Sequence, residues 1–267
     1  MPPKHKHPIA LAFQDASATA SKSSNKISNK IKELNWRQQY SQAEYYPFKY
    51  DPDTRDVTKD SANEKKLAVE VTVKQRQCGE QDGTGTGAVV WNAAHCLSSY
   101  MCSKGVEKVK GRRVVDLGTG TGLTGIVAVK LGAEDVCFTD VGRVLELTRE
   151  NVEGNLEGEE GGRVRTEEYW WGSGTLGRGR FGCVLVADCI LPKLYPMEPL
   201  VEAIDELMVE EGGVCLVSYE HRTWFEFDPR ERFLELCEVK GLQAVRVPEQ
   251  DMVEVAEDII IWEVTRK

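Results

Sequence analysis

The stretch Val114-Val115-Asp116-Leu117-Gly118-Thr119-Gly120-Thr121-Gly122 decides the fold. Apolar, β-favouring residues run directly into glycines at alternate positions, and Leu123 to Leu131 then carries spacing compatible with a helix. A strand, a glycine turn and a helix in succession let a ligand approach the backbone closely. Working outward, apolar β-rich segments fall near 113–118, 135–140, 163–169, 182–188, 213–220, 243–248 and 258–265. Helix-compatible segments fall between them, near 122–131, 142–154, 196–210 and 228–240, with a further helix over 90–101. A run as apolar as Cys183-Val184-Leu185-Val186-Ala187 predicts a parallel sheet covered on both faces. No long helical stretch lies between 248 and 258, so the last two strands are expected to pair as an antiparallel hairpin at the sheet edge. The predicted class is α/β, with a Rossmann-like sheet of seven strands, mostly parallel.

Two cofactor patterns compete for the glycine turn. Gly120-Thr121-Gly122-Leu123-Thr124-Gly125 fits the dinucleotide pattern GxGxxG, in which the first glycine closes the strand. Here the strand closes at Gly118, so the loop reads GxGxG, with Asp116 two residues before its first glycine. A carboxylate there is awkward beside a pyrophosphate but suits the cationic methionine part of S-adenosylmethionine, directly or through water. Asp140 ends the next strand, where a carboxylate can accept hydrogen bonds from both ribose hydroxyls of either cofactor. S-adenosylmethionine is therefore the expected cofactor, with nicotinamide or flavin as the alternative. Gly83-Thr84-Gly85-Thr86-Gly87 repeats the letters without a preceding buried strand; it reads as a flexible turn that could close over the cofactor.

The chain of 267 residues, 41% hydrophobic and 29% charged, has room for one large domain or an ordinary domain with an appendage. Residues 1–36 are Ser/Lys/Asn-rich and are expected to form a disordered tail. Residues 37–90 contain Glu44 to Tyr50 and the alternating Leu67 to Val73, which read as a β-hairpin-like extension before a cofactor-binding domain over 91–267. No apolar run is long enough for a bilayer, and Pro8 to Phe13 is too short for a secretory core. Asp15 and Glu33 interrupt what would otherwise resemble a transit sequence around Lys22, Lys26 and Lys30, so a cytoplasmic location without membrane contact is expected. The eight cysteines include no CxxC, and Cys137, Cys183 and Cys215 lie in apolar runs, as reduced core thiols would. His95, Cys96 and Cys102 lack zinc spacing and a fourth ligand, so no metal site is expected. Net charge is −9; residues 1–60 hold ten Lys and Arg against seven Asp and Glu, leaving 24 against 36 in the remainder. An acidic body argues against a nucleic-acid partner and could help receive a lysine-bearing substrate. No heptad or long apolar surface stripe marks an oligomer, so a monomer is expected.

Four pieces carry a family resemblance: Gly87 to Ala94, the Val114 to Gly122 loop, Trp170-Trp171-Gly172, and Ala187-Asp188-Cys189-Ile190 with Tyr219-Glu220-His221-Arg222-Thr223 downstream. Together, over about residues 67–267, they resemble the seven-strand protein-lysine methyltransferases of the methyltransferase-like 21 group. The resemblance implies a Rossmann-like class I methyltransferase domain, S-adenosylmethionine as cofactor and a protein lysine as acceptor. The Ala-Asp-Cys-Ile and Tyr-Glu-x-Arg-Thr pieces look most like a valosin-containing-protein lysine methyltransferase, and the double Trp like fungal elongation factor 1A lysine methyltransferases. The implied partner is thus elongation factor 1A or a valosin-type AAA ATPase. Cofactor contacts are implied at Trp91, Gly118, Thr119, Gly120, Asp140, Trp171 and Ala187, with the indoles offering flat faces to adenine or to the sulfonium. In this group the fourth strand of the sheet usually ends in an acidic residue followed three positions later by Tyr or Phe. Asp188 supplies the acid, Leu191 stands at the aromatic position, and Tyr195 is a candidate replacement. Asp188 is the leading catalytic candidate, with Tyr219 and Glu220 beside it. A small-molecule or RNA acceptor, or a noncatalytic binding module, are the alternatives compatible with the same fold.

Overall fold

The computed structural model describes residues 43–52, 68–76, 85–177, 179–191, 194–222, 228–252 and 258–267. The expected tail over 1–36 lies outside them. The seven expected strands of the main sheet form: β3 (Arg113–Leu117), β4 (Asp135–Asp140), β5 (Val164–Glu168), β6 (Cys183–Ala187), β7 (Val214–Glu220), β8 (Leu242–Arg246) and β9 (Ile259–Arg266). They are ordered β5-β4-β3-β6-β7-β9-β8. All pairings from β5 to β7 are parallel, while β9 slots between β7 and β8 and runs antiparallel to both. The final hairpin therefore sits where the sequence places it.

Alternation along the strands builds two core layers, since successive side chains point to opposite faces. Val114, Val136, Cys183, Leu185 and Leu216 share one layer with α1 (Asn92–Ser103) and α3 (Leu123–Lys130). Val115, Cys137, Val184, Val186 and Val217 share the other with α5 (Met197–Leu207) and α6 (Pro229–Val239). On α5 the buried Leu200, Val201, Ile204 and Leu207 repeat at helical spacing, each stabilising the fold by about 1.5–3 kcal/mol through burial. The short α2 (Val106–Val109) is an element the sequence reading did not include.

Upstream, β1 (Tyr45–Tyr50) and β2 (Val69–Lys74) pair antiparallel as a separate two-stranded sheet. Their inward residues Tyr46, Phe48, Val71 and Val73 join the same core layer as α1 and α3. The outer edge of β2 is satisfied by a helix. On α4 (Val144–Asn155), the Asn151 side chain accepts from Lys74 N at 2.7 Å and donates to Lys74 O at 3.0 Å. One turn later Asn155 repeats the pair on Thr72, at 2.9 and 2.8 Å. Two carboxamides at i and i+4 thus replace the ladder of a missing strand and fasten the hairpin against the domain.

Candidate active site

The site lies at the carboxyl ends of β3, β4, β5 and β6, where open α/β sheets bind ligands. Its floor is the predicted glycine loop, whose Gly118, Gly120 and Gly122 hold φ of +63°, +55° and +86°. A Cβ on Gly118 would stand 3.0 Å from Cys189 Sγ and 3.1 Å from Trp171, and one on Gly120 would stand 3.1 Å from Gly87 O. Both conformation and space therefore demand glycine. Asp116 lies beneath the loop, 1% exposed, and does not line the cavity above it. Its Oδ2 accepts from Thr119 Oγ1 at 2.7 Å, Thr124 Oγ1 at 2.8 Å and Gly125 N at 3.0 Å, while Oδ1 has no partner among the described residues. Burial pushes its carboxyl up to about 6 against these hydrogen bonds. Its place is that of a brace for the loop, one layer below the expected cofactor contact.

Asp140 closes β4 in the cavity wall, with Oδ2 accepting from Gly120 N at 2.9 Å and Oδ1 from Val141 N at 2.8 Å. Burial raises its carboxyl above the usual range. The cavity measures about 410 Å³, and Trp91, Gly118, Thr119, Gly120, Asp140, Trp171 and Ala187 all line it. All seven are implied by the family resemblance, and the glycine loop and Asp140 are also read from the strand–turn–helix pattern and the strand end. The second glycine repeat contributes a 3-10 turn, Gly85–Ala88, whose Gly85, Thr86 and Gly87 line the cavity. Trp91 Nε1 donates to Thr86 O at 2.9 Å, and the Thr86 and Tyr195 hydroxyls hydrogen-bond each other. The rings of Tyr195 and Trp171 meet edge-on at 5.7 Å, while Trp170 remains 64% exposed at the mouth. Glycine backbone, a strand-end carboxylate and indole walls fit a nucleoside carrying a cationic group.

Asp188 begins the loop after β6 at φ +60°, the only non-glycine residue with positive φ among the described residues. It lines the cavity, yet its side chain is 1% exposed and is held by Arg222 through both oxygens, with Arg222 Nη1 2.9 Å from Oδ1. Glu220 N also donates to Oδ1 at 3.2 Å, and Asp188 N donates to Ser218 O at 2.8 Å. Glu220 Oε2 lies 3.3 Å from Arg222, and Oε1 accepts from Asn92 Nδ2 at 3.3 Å. Burial raises the Glu220 carboxyl. Arg222 sits 5.7 Å over the Trp91 ring, with its pKa raised by Asp188 and Glu220 despite burial. Tyr219 goes elsewhere: it is fully buried in the opposite core layer, stacked on Trp262, and does not line the cavity. Leu191 is buried in the cavity wall, and Tyr195, four residues on, supplies the aromatic surface there.

Fold and site together define a class I methyltransferase with S-adenosylmethionine as its cofactor. The profile of a family described as lysine methyltransferase matches residues 72–239, and the chain belongs to that family. Protein N-lysine methyltransferase METTL21A of Danio rerio is 35% identical over 155 residues, 56% of this chain and 69% of that protein. EEF1A lysine methyltransferase 3 of Mus musculus is 38% identical over 136 residues, 50% of this chain and 56% of that protein. Among solved structures, the glycopeptide N-methyltransferase MtfA complexed with sinefungin superposes with a TM-score of 0.52 at 14% identity, covering 64% of this chain and 94% of that one. Among the described residues no helix is long and apolar enough to cross a membrane, and the seven described cysteines are buried.

Proposed function

We propose that the protein methylates a lysine of elongation factor 1A or of a valosin-type AAA ATPase, and that Asp188 orients the reacting amine. The observation that carries this reading is the placement of Asp188 in the cavity lining, beside the glycine loop and the indoles. The relative named for EEF1A favours the first acceptor, while Tyr219-Glu220-x-Arg222-Thr223 is the motif that favours the second. Residues 91–267 would form the catalytic domain, and 37–90 the extension that covers one face of it. We read the enzyme as a cytoplasmic monomer with no nucleic-acid partner.

Bound S-adenosylmethionine supplies a methyl group on a sulfonium, ready for direct displacement. The chain must then place an amine in line with it and keep water away. Gly118 to Gly120 and Asp140 would hold the nucleoside, with Trp91 and Trp171 as apolar walls. Asp188 and neighbouring backbone carbonyls would accept hydrogen bonds from the amine, which must attack unprotonated. From a reference pKa of about 10.4, removing its proton at pH 7 costs roughly 4.6 kcal/mol. No covalent nucleophile is required. Incubating the enzyme with labelled cofactor and each purified acceptor, then mapping the product by mass spectrometry, tests the assignment. A methylated lysine on one of them is the expected result. Label on neither, with transfer to RNA or a small molecule instead, would reject it.

A further inference from the structure

The carboxylate of Asp188, a residue of the cavity lining, is not a free anion. Arg222 grips both oxygens of Asp188, contacts Glu220 and covers Trp91, and its side chain is 10% exposed. Two carboxylates and one guanidinium therefore share a closed pocket with a formal charge of −1. An unpaired carboxylate beside a lysine would favour the ammonium, the form that cannot attack. We infer that Arg222 is a positioning residue that cancels the charge of Asp188, so that the site accepts the lysine as the neutral amine. This rests on the lysine-acceptor reading above.

The geometry gives the inference its direction. Both Asp188 oxygens already accept from Arg222, and Glu220 N adds a third bond. What is left on Asp188 is lone-pair capacity at nearly balanced charge, suited to an N–H of a neutral amine. The other ionisable groups around this spot are Tyr219 and Glu220 at the end of β7, Asp258 before β9, Cys189 and Tyr195 after β6, and Asp140. Arg222 is the cation of the group, and its removal would leave Asp188 and Glu220 uncompensated.

Sinefungin, which carries an amine where the cofactor has its methylated sulfonium, probes the local charge without needing an acceptor. S-adenosylhomocysteine, with a neutral thioether, is the reference. Calorimetry would give the ratio of their affinities for the wild type and for Arg222→Gln, Arg222→Lys, Asp188→Asn and the Asp188→Asn/Arg222→Gln pair. The ratio should follow local charge. Arg222→Gln should favour sinefungin by about tenfold or more, since a nearby charge shifts such equilibria by ~1–3 pH units. Asp188→Asn should disfavour it, and both Arg222→Lys and the double variant should match wild type. If Arg222→Gln does not fold, Asp188→Asn and the double variant still decide the matter. In parallel, the acid limb of kcat for lysine methylation in extract protein from cells lacking the enzyme should move to higher pH in Arg222→Gln and stay in place in Arg222→Lys. Ratios indifferent to charge, or an equal change in Arg222→Lys and Arg222→Gln, would overturn the role of Arg222. Wild-type enzyme that labels no lysine would instead overturn the reading beneath it, leaving the sinefungin ratios to judge Arg222 alone.

Discussion

Asp116 holds the glycine loop at an electrostatic cost that pH should reveal. Unfolded, its carboxyl ionises from 3.8; folded, only from about 6. Between those values the folded state binds more protons, so stability falls as pH rises, and the cost reaches the order of 3 kcal/mol above about pH 6. Urea unfolding of wild type and Asp116→Asn across this range should show a stability difference that changes with pH in that sense. A constant difference would mean that Asp116 ionises normally. Asp140 behaves differently because it lines the cavity. Asp140→Ala removes the acceptor from Gly120 N and the carboxylate facing the cofactor, and calorimetry should show at least about tenfold weaker S-adenosylmethionine binding. The two aspartates were legible to different degrees. Asp140 follows from a strand end after a glycine turn. For Asp116 the residue count gave the position, but not the depth at which its carboxylate turns under the loop to meet Thr119, Thr124 and Gly125.

Packing between elements reverses an ordinary expectation at Gly125 in α3. A helical Gly→Ala change usually gains close to 1 kcal/mol. Here a Cβ would fall 2.3 Å from Phe138 Cε1 on β4, so Gly125→Ala should destabilise by about 1–3 kcal/mol in denaturant unfolding. A gain would show that α3 can shift away from the sheet. On α4, Asn151→Ala would strand Lys74 N, Lys74 O and Thr121 O, costing roughly 2–3 kcal/mol. Faster amide exchange at Lys74 would locate the loss, whereas unchanged exchange would mean that the amide rung is not needed. The strands of the main sheet were legible because their apolar runs are long and separated by helical spacing; α2, at four residues, is too short to display a period. The asparagine rungs were not legible, since side-chain pairing of a helix with a strand edge leaves no period in either segment. Period-two alternation did carry a signal for β7: Tyr219 and Glu220 are adjacent and point to opposite faces, so Glu220 joins Asp188 through Arg222 while Tyr219 turns into the core, and neither lines the cavity.

At the scale of the molecule, the sheet brings together residues that the sequence scatters. The glycine loop, Asp140, Trp171 and Asp188 come from the ends of different strands, and Trp91 reaches them from the segment before α1. Their identities were readable from strand ends and from the family resemblance, while the grip of Arg222 on Asp188 across 34 residues follows only from the parallel pairing of β6 with β7. The hairpin of β1 and β2 completes one core layer without lending a residue to the cavity. The most direct test of the central claim is transfer of labelled methyl from S-adenosylmethionine into a lysate lacking this enzyme, with wild type and Asp140→Ala compared and products identified by mass spectrometry. The account predicts label on a protein lysine with wild type and its loss with Asp140→Ala. Undiminished labelling by Asp140→Ala, or saturable cofactor binding with no labelled protein, would contradict it.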